Sequence, residues 1–504
     1  MAEFETMTFK VTSRAREIAG TFLFILLFSP LIILFFSLKK LAWPSLNELV
    51  SVVFFTSLQA AASASLSLVT GFIGALGLFW IARSRLRPML LIAEVFALAP
   101  SFIPSLLILL PLFKFAPFAR GFVGIIFAHA LMFSGLISVS FAAVFGNLLG
   151  GISELAWSEG ADTWFFLRKV ALPILRRPSA VLFLLVFNLS FVSFAIPLIL
   201  GEGGSTTIEV LIYQKIWFSN TWNEAIGLSL IQMALLFIFP FLISVFSGDA
   251  GEFVLTPRTS ETPFLSSPWG LLVVFLPIVF VAAGLVDSVV PGIASLKQIS
   301  DGIDWDVYLL GSMMVSTFTS ILIFGSLLAI AYFNPQRLAH RILQGFVAPS
   351  SALTGFAILL LWPATGFPTY FKIGIAISLI AIPSFYRMRW GGLLRSLNSQ
   401  RLLADVMGAS PWLVFSKIVL PQIFKPACQI AGLASIWAWG DFAISSIVAE
   451  KPVTTALLAQ NLMSSYRLDS ATVVIWIVFS GGLLSYVMWT GVGHVFGSRS
   501  QTDL

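Results

Sequence analysis

Residues 160–173 read GADTWFFLRKVALP, and residues 408–421 read GASPWLVFSKIVLP. The two stretches align without a gap, 248 residues apart. In that register Leu155, Ala156, Gly160, Ala161, Trp164, Lys169, Leu172, Pro173 and Pro178 meet Leu403, Ala404, Gly408, Ala409, Trp412, Lys417, Leu420, Pro421 and Pro426. Each copy opens with a glycine, which permits a sharp backbone turn. A helix-start signal follows: Asp162 and Thr163 in the first copy, Ser410 with Pro411 at the first helical position in the second. A short run of aromatic, aliphatic and basic residues comes next. The Leu-Pro pair predicts that this run ends there, before a longer apolar helix begins. The chain is thus read as a duplication, with a short helix–turn–helix in each half.

The rest of the sequence says where those segments sit. Of 504 residues, 58% are hydrophobic and only 10% charged, so a water-facing surface cannot be covered; soluble domains carry roughly 25% charge. Mean hydropathy is +0.96. Many apolar runs reach the roughly 20 residues that span a bilayer. They lack period-2 alternation, which selects helices over a barrel. Twelve spans are read: 18–38, 56–80, 89–112, 121–145, 179–200, 226–247, 269–290, 308–333, 342–362, 370–386, 427–448 and 471–493. No small-residue cleavage site follows the first, so it is read as retained. With both termini in the cytoplasm, 20 of the 29 Lys and Arg fall on the inside. The net charge of +6 is therefore topogenic, and no nucleic-acid partner is expected.

The spans divide into six and six. The first repeat covers 1–247, a Ser-, Thr-, Pro- and Gly-rich linker covers 248–268, and the second repeat covers 269–504. Because six is even, both halves enter the membrane in the same direction, as a parallel repeat. Each quoted segment lies on the cytoplasmic side, between the fourth and fifth spans of its half. Two knobs in one chain suit a symmetric two-subunit partner.

Chemistry of the chain's own is not expected. The single cysteine, Cys428, excludes an internal disulfide and argues against a thiolate metal site. His129, His340 and His494 have no ligand spacing. There is no nucleotide-binding P-loop, HExxH or GxSxG. No catalytic residue, metal or bound cofactor is expected, and any energy comes from another chain.

The repeated segment resembles the EAA loop of permeases in binding-protein-dependent ABC importers: E-A-A, three residues, G, nine residues, I, one residue, L-P. The first copy fits as Glu154, Leu155, Ala156, Gly160, Val170, Leu172 and Pro173, within a loop of 154–173. The second fits as Leu402, Leu403, Ala404, Gly408, Ile418, Leu420 and Pro421, within 402–421. It lacks the acidic first position, although Asp405 is near. The resemblance implies an all-α type I permease with twelve transmembrane helices in the bacterial cytoplasmic (inner) membrane. It also implies a cytoplasmic ABC ATPase dimer that uses ATP and grips the loops, and a periplasmic substrate-binding protein that delivers cargo. Trp164 and Trp412 are read either as ATPase contacts or as interfacial anchors, and Lys169 and Lys417 either as coupling residues or as topogenic charges.

A fused twelve-span chain resembles the branch that carries thiamine and ferric iron. Two stretches look like the thiamine-type members: residues 191–214, with Thr206–Thr207, and residues 440–467, with Thr454–Thr455. The resemblance therefore implies thiamine or a related small organic cation as cargo. A ferric iron importer, or a secondary transporter with parallel repeats, is the alternative.

Ionisable residues inside a bilayer are costly and mark candidate paths. Asp441, Glu94 and His129 are of this kind. Asp441 follows Trp437 and Trp439, where ion-pair and cation–π attraction would act together on a cationic cargo. The alternative is a carboxylate held by neighbouring helices as structural glue. Pro100, Pro104 and Pro111 are expected to break the third span, Pro349 and Pro363 the ninth, and Pro197 and Pro383 add further breaks, more as static kinks than as gates.

Overall fold

The computed structural model describes residues 21, 25–26, 28–30, 32–37, 41–116, 120–201, 206–247, 266–287, 289–333, 350–362 and 368–502. These form helices and connecting turns, with no strand among them. Among the described residues, six helices are long and apolar enough to cross a membrane, or seven if one sharply bent pair counts as a single span. Residues 18–20, 22–24, 27, 31 and 38 of the first predicted span, the linker over 248–265, and the start of the ninth span with Pro349 and Pro363 lie outside the described residues.

Ala42–Gly302 and Ala459–Ile475 form one compact unit; Met1–Leu41, Ile303–Leu458 and Trp476–Leu504 form the other. The first unit contains α1 (Leu46–Arg83), α2 (Leu90–Phe102), α3 (Ser105–Phe115), α4 (Gly121–Ser158), α5 (Thr163–Phe191), α6 (Ala195–Leu200), α7 (Ile208–Trp217), α8 (Trp222–Ser247), α9 (Gly270–Asp287) and α10 (Val289–Ile299). Ser45 starts α1 by accepting the Glu48 N–H at 3.3 Å, and Glu48 suits the positive end of the helix. At 38 residues α1 is about 57 Å long, well beyond a hydrocarbon core. Gly71 and Gly74 let it close on Ile137 and Ser138 of α4. Phe79, Phe141 and Phe145 fill the space between these two helices.

The third span is broken once, by 83°, between α2 and α3. Ile103, driven to the extended region (ψ 151°) by the ring of Pro104, ends α2. Pro100 and Pro111 lie inside α2 and α3, and Pro197 and Pro383 lie inside helices as well. These four prolines therefore do not break their helices as expected from the sequence.

Helix α9 follows the linker yet packs with α1 to α4. A Cβ on Gly77 would come 2.5 Å from the Gly270 carbonyl carbon, so the two backbones touch. Phe275 meets Phe96, Phe280 meets Phe115, and Asp287 pairs with Lys114. Conversely Phe28, from the first predicted span, packs into the core of the second unit. The repeat boundary in the sequence and the packing boundary fall at different places.

The second unit holds α11 (Trp305–Phe333), α12 (Ser351–Leu361), α13 (Thr369–Phe385), α14 (Asn398–Val406), α15 (residues 411–440), α16 (Ala443–Val448) and parts of α17 (Thr455–Ser464) and α18 (Leu468–Thr502). Its core gathers Ile323, Tyr386, Trp390, Val419 and Ile423.

The duplication extends to buried side chains. In the first unit Thr56 Oγ1 accepts the Ile208 N–H at 3.0 Å, and Gln59 donates to the Ser190 carbonyl at 2.9 Å. In the second, Ser312 Oγ accepts the Thr455 N–H at 2.9 Å, and Ser316 donates to the Ser435 carbonyl at 3.2 Å. In each unit one hydroxyl of the long helix caps a ten-residue helix, and a donor about one turn further along holds the fifth-span helix.

Candidate coupling loops and translocation residues

Helix α4 continues past its apolar stretch, Gly121–Phe145, to Ser158 and so carries Glu154 and Ala156 out at its end. The turn that follows is a Schellman motif. Gly160 N–H donates to the Trp157 carbonyl and Ala161 N–H to the Ala156 carbonyl, each at 3.0 Å. Gly160 sits at φ +75°, a region that L side chains avoid. The second copy repeats this atom for atom: Gly408 at φ +78°, Gly408 N–H to Asp405 at 3.1 Å, and Ala409 N–H to Ala404 at 3.0 Å. Asp162 then caps α5 through the Phe165 N–H at 2.8 Å, and Ser410 caps α15 through the Leu413 N–H at 3.3 Å, with Pro411 at the first helical position.

The Leu-Pro pair does not end the helix, contrary to the sequence expectation. Helix α5 runs on as α (Thr163–Phe165), π (Phe166–Ala171) and α again from Leu172. Helix α15 does the same through Val414–Val419. The wide turn is the physical reason. Leu172 N–H bonds to Leu167 and Leu420 N–H to Phe415, five residues back, so the missing N–H and the ring of Pro173 and Pro421 fall where the ladder has already been reset.

Both knobs present apolar side chains to solvent: Leu155, Trp157, Trp164 and Leu172 in the first, and Leu402, Leu403, Met407 and Trp412 in the second. Glu154 and Pro173 are exposed, Leu420 and Pro421 half-buried, and Ala404 buried. The second knob is braced. Tyr332 at the end of α11 stacks edge-on against Phe415 at 5.1 Å, and Arg401 donates to the Ala331 carbonyl at 3.1 Å.

The path candidates fall in separate places. Asp441 lies between α15 and α16 in the second unit, 7% exposed, and Trp437 lies one turn earlier on α15, edge-on to Phe385 at 6.1 Å. Trp439 does not join them: it packs on Gly481 and donates to Ser485 at 3.0 Å. Glu94 is buried on α2 and His129 on α4, both in the first unit. His129 Nδ1 lies 3.2 Å from Ser63 Oγ, and its ring stacks on Phe133.

One acid escaped the sequence reading. Glu209, in the segment read as an outside loop, is fully buried and accepts from Gln232. An acid in a loop gives no sequence signal; only the docking of α7 on α8 buries it. Lys215 on α7 bridges Glu48 at 3.0 Å and Glu224 at 2.7 Å. Burial lowers its pKa, but the bonds and charges of Glu224 and Glu48 outweigh this, and the net shift is upward.

Residues 321–492 match the family described as the binding-protein-dependent transport system inner membrane component. Along this stretch the chain is similar to ABC-importer permeases. The proteins it resembles are membrane transport components, not enzymes. The thiamine transport system permease protein ThiP of Escherichia coli (strain K12) is 24% identical over 411 residues, covering 77% of this chain and 75% of that protein. ThiP of Salmonella typhimurium is 26% identical over 410 residues, covering 77% and 75%. ThiP of Haemophilus influenzae is 31% identical over 128 residues, about a quarter of each chain. No solved structure matches. These relatives support a fused, two-half permease of the thiamine and iron branch.

Proposed function

We propose that the chain forms the membrane pathway of an ATP-driven importer of thiamine or a related small organic cation: twelve helices in two tandem repeats, 1–247 and 269–504, joined by the 248–268 linker, with both termini cytoplasmic. Two copies of a cytoplasmic ATPase grip the loops at 154–173 and 402–421, and a periplasmic binding protein delivers cargo. The observation that carries this reading is the pair of matching glycine turns, φ +75° and +78°, each under an exposed apolar knob. Such a knob is rigid, protruding and desolvated at low cost, as a docking contact requires. Glu154, Ala156, Gly160, Leu172 and Pro173 build one coupling site, and Ala404, Gly408, Leu420 and Pro421 the other. ATP is bound and hydrolysed by the partner; this chain supplies the path and moves by alternating access. Thiamine is favoured as cargo by the likeness to ThiP along most of the chain.

The test is uptake of labelled thiamine into liposomes that hold this chain with its ATPase and binding protein. ATP-dependent accumulation, lost in a Gly160→Val/Gly408→Val double variant, is expected. Accumulation without ATP, or unaltered in that variant, would contradict the reading.

A further inference from the structure

The break in the fifth-span helix of the second repeat holds a carboxylate that is only half used. Asp441 Oδ2 accepts the Ile444 N–H at 3.1 Å and the Ser445 N–H at 3.2 Å, and the Ser445 hydroxyl lies 3.4 Å away. All of these bonds fall on one oxygen. Oδ1 accepts from none of the described residues, and no cationic side chain among them pairs with Asp441. The residue is 7% exposed, so the group is fixed, nearly buried and left with one bare oxygen. In a low-dielectric setting that arrangement is costly until a positive group arrives.

The first repeat provides an internal control. In the register that matches Gly160 to Gly408, Asp441 corresponds to Ser193: FVSFAI over 191–196 meets WGDFAI over 439–444. Helix α5 ends at Phe191 and α6 begins at Ala195, so the same break forms without an acid, and α6 has no side-chain cap. The break does not need a carboxylate. The charge at 441 therefore answers to something other than architecture.

The aromatic neighbour points to the kind of cation. Trp437 lies four residues before Asp441, in the last turn of the helix that Asp441 terminates, and stays 36% exposed. One carboxylate oxygen beside an indole suits a small organic cation, which gains ion-pair and cation–π attraction together. It does not suit a metal ion, which takes several ligands; among the described residues no group of three or more His, Cys, Asp or Glu could hold one.

Resting on the importer reading above, we propose that Asp441 Oδ1 is the charged contact for the cationic ring of the cargo during its passage, with Trp437 beside it. Asp441→Asn removes the charge and keeps a capping oxygen; Asp441→Ser also removes the charge and installs the residue with which the first repeat forms this break without a side-chain cap. Each variant is placed with the ATPase and binding protein in liposomes. Thiamine uptake and ATP hydrolysis stimulated by thiamine-loaded binding protein are then read together. The expected result is uptake lowered at least about tenfold in both variants, with stimulated hydrolysis within about twofold of the parent. Uptake within about twofold of the parent would overturn the proposal. A parallel fall of uptake and hydrolysis would also overturn it, since that is the effect of losing a structural cap. Failure of the parent complex to take up thiamine at all would instead sink the cargo reading and this proposal with it, so the two failures are told apart by the parent measurement.

Discussion

Gly160 and Gly408 fix the same backbone turn through a single residue type. A Cβ at either position would meet no atom within 4 Å, so space is not the constraint. The constraint is the positive φ, which costs an L residue about 1–2 kcal/mol. Gly160→Ala and Gly408→Ala should each lower the stability of the loop by that amount and reduce the ATPase retained through purification. Quantifying the ATPase band against this chain checks it. Buried polar contacts make a second prediction at this scale. Gln59→Leu strips the Ser190 carbonyl of its side-chain donor inside the bundle, for a loss of about 1–3 kcal/mol. Ser67→Ala removes a buried hydroxyl that bonds to none of the described residues, and should be neutral or stabilising. Thermal unfolding in detergent separates the two. The glycines and their caps were legible in the sequence because turn and cap chemistry is local. The half-used state of Asp441, the burial of Glu209 and the capture of Trp439 by Ser485 were not, because each depends on which distant helix arrives alongside.

At the scale of elements, helix packing here alternates between contact so close that only glycine fits and surface with room to spare. Gly77 of α1 and Gly270 of α9 touch through their backbones. Gly77→Leu or Gly270→Leu must push these helices apart, at a cost of at least about 1–3 kcal/mol. Gly151 and Gly325 lie inside α4 and α11 with nothing within 4 Å of a built Cβ. Gly151→Ala and Gly325→Ala should therefore stabilise by up to about 1 kcal/mol. Opposite shifts in unfolding midpoint are the expected readout. The helices themselves were readable from the apolar runs. The path through Leu172–Pro173 and Leu420–Pro421 was not, since proline ordinarily stops a helix and only the π turn seen here absorbs it. Among the described span prolines named above, Pro104 alone breaks its span; the sequence treats it no differently from Pro100 or Pro111.

At the scale of the whole molecule, the order of the chain and the order of its packing differ. Helix α9 and residues 459–475 come late in the chain but pack with the first repeat's helices, and Phe28 comes early but packs with the second repeat's core. Neither 1–247 nor 269–504 coincides with a compact unit. Residues 1–258 and 259–504, produced as separate polypeptides, should accumulate only when made together, and a tag on one should retrieve the other. The duplication was visible in sequence through a pair of loops; the exchange of helices was not, because a repeat in sequence does not say which copy its first helix will join.

The central claim is that two glycine-turned knobs in one chain dock two ATPase subunits. Native mass spectrometry of the complex purified through a tag on this chain tests it most directly. One copy of this chain with two copies of an ABC ATPase is expected, with loss of that ATPase in the Gly160→Val/Gly408→Val variant. A chain that purifies without any ATPase, or a double variant that keeps both copies, would contradict it.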